Sequence, residues 1–246
     1  MQNNTENDIL QLPEKIAIEK GIQIVICIDE FQQISDFEDS KTFQKKLRSV
    51  WQLQQHVSYC LFGSKKHLMN ELFEKKNLPF YKFGDAIYLA KIETKYWIEY
   101  ICKRFENTGK HISPELAEEI CRLVDNHSSY VQQLSWLLWI RTINTATTEQ
   151  LSYALEDLLD QNNILFQSET ENLSDYQMNF LKAIVDGIHT KFSSKEVISK
   201  YNLGTSANIV RLKNALLQKE LIETNGKEIV LADPVFGVWF KKEMLY

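Results

Sequence analysis

Residues 22–32 read Ile22-Gln-Ile-Val-Ile-Cys-Ile-Asp-Glu-Phe-Gln32, a run of β-branched apolar residues that ends in two adjacent carboxylates. Such a run is typical of a strand that is buried on both faces of a parallel sheet. Asp29 and Glu30 then stand at the carboxyl end of the strand, where open α/β sheets bind their ligands. The stretch therefore predicts a buried strand that carries an acidic ligand site at its end.

A second buried strand is predicted at Val57–Phe62, after an amphipathic helix whose apolar residues are Phe43, Leu47, Val50 and Trp51. A strand, a crossover helix and a second strand form a parallel, right-handed unit. Because the second strand is followed by Gly63 and Ser64, we expect the Ser64 hydroxyl to face the same crevice as the two acids. A third short strand is predicted around Ala86–Leu89. Residues 1–90 are thus interpreted as a partial α/β core.

Two adjacent acids after a buried strand are the acidic half of a nucleoside triphosphate site. The other half is a Gly-rich loop of the form G-x-x-x-x-G-K-[ST], which cradles the phosphates, and this pattern occurs nowhere in the 246 residues. Mg²⁺ is seldom held by one or two carboxylates without substrate phosphates. We therefore expect Asp29 and Glu30 alone to bind neither Mg²⁺ nor ATP well.

The sequence predicts a helical subdomain over residues 91–168. Ser113-Pro114-Glu115 is typical of a helix start, and Thr147 with Gln150 predicts a capping box for a later helix. The helix from Tyr130 to about Ile143 is unusually apolar around Leu134–Ile140, so we expect it to be buried on most sides, with Trp136 and Trp139 in the core.

Residues 169–246 predict a winged helix-turn-helix. Capping boxes are expected at Ser174 with Gln177 and at Ser193 with Glu196, and Asn225-Gly226 is a strong hairpin signal for the wing. The helix Thr205–Lys219 is the candidate for contacts to DNA or protein, and the residues that would make them are Asn208, Arg211, Lys213 and Asn214, with Lys227 at the tip of the wing.

Composition narrows the classes of partner and compartment. The chain is 44% hydrophobic and 25% charged with a net charge of −5, which is typical of a soluble globular protein and unfavourable for sequence-independent binding of nucleic acid. No apolar run approaches the length of a membrane span, and no secretory signal is present, so the cytoplasm is expected. The four cysteines form no C-x-x-C pair and are expected to be reduced, buried thiols: Cys27, Cys60, Cys102 and Cys121.

The order of these motifs resembles the prokaryotic, archaeal-type signal-transduction ATPases (STAND), P-loop relatives of the AAA+ proteins. The resemblance covers nearly the whole chain and rests on four segments: Ile24–Gln32, Leu61–Ser64, Asn126–Leu134 and Asp233–Phe236. It implies ATP and Mg²⁺ as cofactors. The sequence departs from the family at three places. The phosphate loop (Walker A) is missing, His127-Ser128-Ser129 replaces the small residue and proline common in the lid motif, and no arginine occupies Leu78–Phe83, where some relatives carry one.

The resemblance also implies roles for particular residues. Asp29 matches the Walker B carboxylate that holds Mg²⁺ in the presence of nucleotide, Glu30 the base that orients the attacking water, and Ser64 the sensor-1 residue that reads the γ-phosphate. The segment with Asn126, His127 and Tyr130 falls where the helical lid contacts the nucleotide.

Three functions follow as expectations. The first is a truncated or split ATPase that has no independent activity and acts through protein contacts. The second is a winged-helix DNA-binding regulator, against which the ten Lys/Arg and nine Asp/Glu of residues 171–246 weigh, because phosphate-binding domains are normally far more basic. The third is half of an ATP site that a P-loop-bearing partner chain completes. In the P-loop ATPases that the chain resembles, the sensor-1 strand lies between the Walker B and Walker A strands, which implies that one edge of Val57–Phe62 has lost its neighbour. We therefore expect that sheet edge to be covered by the N-terminal segment Met1–Lys20, by a second copy or by a partner.

Overall fold

The computed structural model describes residues 2–244, with the side chains of residues 2–5, 66 and 67 outside that description. The chain forms two compact units, one up to Tyr88 and one from Leu89 onward. The predicted domain bounds of the α/β core, residues 1–90, stay a prediction. The predicted boundary near residue 168 stays a prediction, and the buried core of the second unit runs continuously across it.

The first unit alternates helices and strands in the predicted order. Its elements are α1 (Gln2–Lys20), β1 (Ile24–Ile28), a 3₁₀ helix (Phe31–Asp36), α2 (Ser40–Trp51), β2 (Val57–Leu61) and α3 (Lys66–Glu74). β1 and β2 pair in parallel, with Ile24 opposite Val57 and Ile28 opposite Leu61. One face of this pair packs on a small core of Phe31, Ile34, Leu47, Trp51, Leu72 and Phe80.

The prediction that these strands are buried on both faces is wrong. Side chains alternate across a strand, and the second face, with Val25, Cys27, Ser58 and Cys60, is exposed; Val25 is 65% accessible. A β-branched run indicates suitability for a covered sheet, but none of the described elements covers this face. The expectation of buried thiols is therefore wrong for Cys27 and Cys60, which are exposed, whereas Cys121 is buried and Cys102 half-buried.

The predicted third strand is also wrong. Residues 85–93 form no strand, because no described strand lies beside them to pair with their backbone, and Ile87 and Leu89 are 85% and 93% exposed. The N-terminal segment does not pair with the sheet edge either. It forms the helix α1, whose Glu14 accepts hydrogen bonds from the backbone N–H groups of Gln55 and His56. Within residues 2–244 the parallel sheet has two strands.

The second unit begins with four helices: α4 (Thr94–Glu106), α5 (Pro114–Leu123), α6 (Ser128–Arg141) and α7 (Thr148–Glu171). The predicted caps of α5 and α7 are confirmed, since Ser113 accepts from Leu116 N–H and Thr147 forms a capping box with Gln150. The prediction that α6 is buried on most sides is wrong. Trp136 is 57% and Ile140 51% exposed, because α6 packs mainly on α7 and α5 and buries only part of its surface, including Leu134, Leu137 and Leu138.

The winged helix-turn-helix follows as predicted: α8 (Asp175–Val185), α9 (Lys195–Lys200), α10 (Ser206–Gln218), β3 (Ile222–Asn225), β4 (Glu228–Leu231) and α11 (Pro234–Met244). The capping box of Ser174 with Gln177 is confirmed, whereas α9 is capped by Ser194 instead of Ser193. Gly226 has a φ of 61° in the turn of the hairpin. Among the described helices, none has the length and apolarity that a membrane span requires.

Candidate functional site

The carboxyl ends of β1 and β2 bring three of the predicted site residues together. The Ser64 hydroxyl donates to Glu30 at 3.1 Å from Oε1 and 3.3 Å from Oε2. Asp29 precedes Glu30 and accepts the Glu30 backbone N–H on Oδ1 at 2.8 Å. The ends of the two strands are joined by backbone hydrogen bonds from Phe62 N–H to the Ile28 carbonyl and from Phe31 N–H to the Phe62 carbonyl. The parallel pairing thus places an acid, a second acid and a hydroxyl on one edge of the sheet.

Glu30 has a backbone conformation that few side chains adopt. Its φ of 49° and ψ of 41° lie in the left-handed region, directly before the 3₁₀ helix. For a residue other than glycine this conformation costs of order 1 kcal/mol, and it occurs often at functional positions. The consequence here is a sharp turn that directs the Glu30 carboxylate toward Ser64.

Gln32 is a site residue that sequence reasoning missed. Its side chain is only 2% exposed, and its Nε2 donates to Glu30 Oε2. A Cβ atom at Gly63 would lie 1.9 Å from Gln32 Oε1, so only glycine leaves room for the amide at this position. The signal in the sequence was weak, because a glutamine two residues after an acid is common. Glu30 is therefore held from two sides, by Ser64 and by Gln32.

These groups fit the acidic side of a magnesium–nucleotide site, but not an independent metal site. Carboxylate and hydroxyl oxygens are the ligands that Mg²⁺ takes, yet Mg²⁺ is normally bound by one or two carboxylates together with phosphates and water. Both oxygens of Glu30 already accept hydrogen bonds, which leaves Asp29 Oδ2 as the uncommitted oxygen. Nowhere among the described residues do three or more His, Cys, Asp or Glu side chains form a cluster that could hold a metal.

The predicted lid residues lie at the turn between α5 and α6. Asp125 and Asn126 are both left-handed, with φ of 47° and 54°. The Asn126 side chain exchanges hydrogen bonds with Thr94, and Lys91 Nζ donates to the Asp125 carboxylate at 2.6 Å. The cavity beside this turn, about 450 Å³, is acidic; its charged lining residues are Glu115, Glu118, Glu119, Asp125 and Arg122. A negative field of this kind opposes an anionic ligand such as a nucleotide.

His127 and Tyr130 follow at the start of α6, with ring centroids 4.8 Å apart. His127 Nδ1 is buried and has no hydrogen-bond partner among the described residues. The Tyr130 hydroxyl donates to Asp233. Burial, and then the hydrogen bond to Asp233, raises the pKa of Tyr130 well above its usual range. The role of these residues in contacting a nucleotide stays a prediction.

The predicted contact residues of the winged helix are divided by the geometry of α10. Arg211 and Asn214 are exposed on the side opposite the buried Ile209, Leu212 and Leu216. Asn208 Nδ2 instead donates to the backbone oxygen of Leu203 at 3.0 Å, and Lys213 is half-buried at the flank of the helix. Lys227 is exposed at the tip of the wing. An open cavity of about 420 Å³ lies at the start of α10, lined by Tyr176, Gly204, Thr205, Ala207, Asn208 and Arg211.

Comparisons with known proteins agree with this architecture. Residues 164–242 match the family model described as a probable winged helix domain. No curated protein matches the chain in sequence. The structure is similar to the Walker-type ATPase PABY2304 of Pyrococcus abyssi, with a TM-score of 0.73 and 17% identity over 96% of this chain and 67% of that one.

Two further structures are similar, with TM-scores below 0.5. They are the RuvB Holliday junction branch migration motor of Thermotoga maritima (0.43, 13% identity, 88% of this chain and 70% of that one) and the Orc1 protein of Aeropyrum pernix in complex with DNA (0.44, 10% identity, 89% and 64%). The chain spans about two thirds of the length of each of these three structures. Its fold, mostly helical with a small parallel sheet, is similar to that of the Pyrococcus abyssi Walker-type ATPase, and residues 164–242 form a winged helix domain.

Proposed function

We propose that this chain supplies the acidic half of an AAA+-like ATP site, does not hydrolyse ATP by itself, and acts through protein contacts. The observation that carries the proposal is the contact of Ser64 with Glu30 at the carboxyl ends of two parallel strands, beside Asp29. In the ATPases that this chain resembles, acids and a hydroxyl at these positions orient a water molecule and a metal next to a phosphate, and this likeness supports the proposal. The phosphates themselves would need a cradle of backbone N–H groups, and the 246 residues contain no Gly-rich pattern for one.

Each residue has a distinct part in this proposal. Asp29 would hold a Mg²⁺ ion that accompanies a nucleotide, and the ion would supply charge neutralisation for the phosphates. Glu30 would accept a proton from a water molecule. Ser64 and Gln32 position the Glu30 carboxylate, because both donate hydrogen bonds to it.

Calorimetric titration of the isolated chain with Mg-ATP tests the proposal. We expect no saturable heat, because two carboxylates and a hydroxyl provide no binding energy for the triphosphate. Micromolar affinity that Asp29→Ala abolishes would overturn it. The matched control is Asp36→Ala, which removes a carboxylate from the same unit at the end of the 3₁₀ helix.

A completed site between two chains is favoured by the open edge of the sheet, where β2 has no described neighbour besides β1, and by the uncovered face with exposed Val25, Cys27 and Cys60. Parallel sheets are normally covered on both faces, and an open edge pairs readily with another strand. In this version a partner that carries a Gly-rich phosphate loop adds the missing strand. ATP hydrolysis that requires both chains and is lost in Glu30→Gln would support it.

A DNA-reading function is favoured by the exposure of Arg211 and Asn214 on the outer face of α10, in a segment that matches a winged helix model. The near balance of charges in this domain favours protein contact instead. Mobility shifts at ~150 mM salt should therefore show weak, sequence-blind retention, since specific readers typically reach ~10⁻⁸ M or better. Tight binding that is lost in Arg211→Ala but kept in Lys219→Ala would establish the DNA reader.

A further inference from the structure

The first turn of α6 is joined to the last helix of the winged domain by a side-chain contact over a long sequence distance. Tyr130 is 8% exposed, and its hydroxyl donates to Asp233 Oδ2. Because burial and the nearby carboxylate raise the pKa of Tyr130, its hydroxyl remains protonated, as a donor must be. The contact connects the helical subdomain to Asp233, the residue directly before α11.

Asp233 uses its other oxygen to cap α11. Asp233 Oδ1 accepts the backbone N–H groups of Val235 at 2.7 Å and Phe236 at 3.0 Å. These are among the N–H groups that a helix start leaves without an internal partner. One carboxylate therefore fixes both the start of α11 and the Tyr130 hydroxyl, so a displacement of Tyr130 acts directly on the first turn of α11.

The packing of α11 extends this link into the winged domain. Phe236 and Trp239 lie against Phe166 of α7, with ring centroids 5.5 Å and 5.6 Å from it, and Trp239 Nε1 donates to Asn163 at 2.8 Å. α11 also packs on α8 and β4, which belong to the winged helix. A close-packed core transmits a shift to its neighbours because it has little free volume.

The other end of the link is the turn before α6. Lys91 Nζ donates to the backbone oxygen of Asp125 at 3.0 Å and to its carboxylate, and Thr94 pairs with Asn126. Asp125 and Asn126 hold two consecutive left-handed conformations, so the turn is under backbone strain that these contacts maintain. Hydrogen bonds thus hold the turn at Asp125 and Asn126 and join Tyr130 to Asp233, and between these two groups the His127 ring contacts the Tyr130 ring, with centroids 4.8 Å apart.

We propose that Tyr130 and Asp233 form a coupling contact, through which the conformation of the α5–α6 turn sets the position of α11 and the winged helix. Tyr130 is a positioning residue in this device. A ligand or protein that contacts Asn126 or His127 would shift Tyr130, and the Asp233 cap would carry the shift to the winged domain. The coupling requires no nucleotide, so a negative result for the proposed ATP half-site would not contradict it.

Amide hydrogen exchange, measured by NMR on the full chain, tests the coupling with a double-mutant cycle. Tyr130→Phe keeps the ring and removes the hydroxyl. We expect the exchange rates of the Val235 and Phe236 amides to rise about tenfold, which corresponds to the free energy of one hydrogen bond to a charged group. Asn126→Ala, which breaks the pair with Thr94, should raise exchange at the same two amides severalfold. In the Tyr130→Phe background, Asn126→Ala should have no further effect on them.

Two results would overturn the proposal. If Asn126→Ala leaves the two α11 amides unchanged, the Tyr130 contact is a local cap alone. If the effects of the two substitutions simply add, the turn reaches α11 by another route. Asp233→Asn is the second variant: it keeps an oxygen for the cap and removes the charge that holds Tyr130. Tyr153→Phe, an exposed tyrosine on α7, is the matched control and should change nothing at α11.

Discussion

The two units of the chain differ in how completely they bury their own apolar residues. The second unit has one continuous core from Trp97 of α4 to Phe240 of α11, whereas the first has a core of six buried residues on one face of a two-stranded sheet. The other face of that sheet exposes Val25 and two thiols. Apolar strands alone therefore do not make a closed α/β core, because each face of the sheet needs its own covering layer.

The largest expected contrast between the units is in thiol reactivity. Cys27 and Cys60 are exposed on the open face, whereas Cys121 is fully buried and burial raises its pKa to about 11. With a disulfide reagent at pH 8 we expect Cys27 and Cys60 to react at least ~100-fold faster than Cys121, since the thiolate is the reactive form. Removal of the fast phase by the double substitution Cys27→Ser and Cys60→Ser assigns it. A fast phase that disappears with rising protein concentration would show the open face to be covered by self-association.

The continuity of the second core is broken most directly at Phe166. It is fully buried in α7 and contacts Phe236 and Trp239. Phe166→Ala should reduce the free energy of unfolding by about 3–5 kcal/mol, as expected for loss of a buried aromatic ring. In denaturant titrations the helical subdomain and the winged helix should lose stability together. Ile164→Ala, two residues away and 82% exposed, should change the stability by less than about 0.5 kcal/mol. Separate transitions for the two halves would contradict a shared core.

The edge of the first unit gives a smaller effect. β2 pairs with β1 on one side, and no other described strand lies next to it. In a dilute monomeric sample we expect the β2 amides that do not bond to β1 to exchange rapidly, and to become about tenfold slower at high concentration if a second copy covers the edge. β4 amides of the wing serve as the reference. Slow exchange along β2 in a strictly monomeric sample would rule out the intermolecular explanations.

The smallest effect concerns Glu169, which lies half-buried at the end of α7. Burial, and then the charge of Asp233, raises the pKa of Glu169 in the folded state. A raised carboxyl pKa means that the folded chain binds this proton more tightly, so stability falls as the pH rises from the unfolded pKa through the folded one. Glu169→Gln removes the repulsion and should stabilise the chain at pH 7 by less than about 1 kcal/mol, because solvent screens a partly exposed group.

Thermal unfolding of this variant between pH 4 and pH 7 checks the sign. The advantage of Glu169→Gln over the wild type should shrink as the pH falls, since both forms are then uncharged. Glu171→Gln, at an exposed position two residues later, should show no such trend. An advantage that grows toward low pH would contradict the assigned direction.

Local signals in the sequence specified much of the secondary structure of this protein. The strand that ends in Asp29 and Glu30, the capping boxes at Thr147 and Ser174, and the hairpin at Asn225-Gly226 are all present as predicted. Each depends on hydrogen bonds or backbone conformations within a few residues, so the residue types alone specify it. The approach of Ser64 to Glu30 also followed, because parallel strands align their carboxyl ends.

Burial and long-range contacts were decided by the tertiary structure alone. Val25 and Trp136 lie on uncovered faces, and the sequence does not show this. An apolar residue type indicates a preference for burial, but it does not indicate whether another element covers that face. Gln32 reaches Glu30 only because Gly63 leaves room for its amide. Tyr130 and Asp233 are 103 residues apart and meet only when α11 docks on α7. Periodicity and spacing carry no information about such a meeting, since it depends on how complete helices pack.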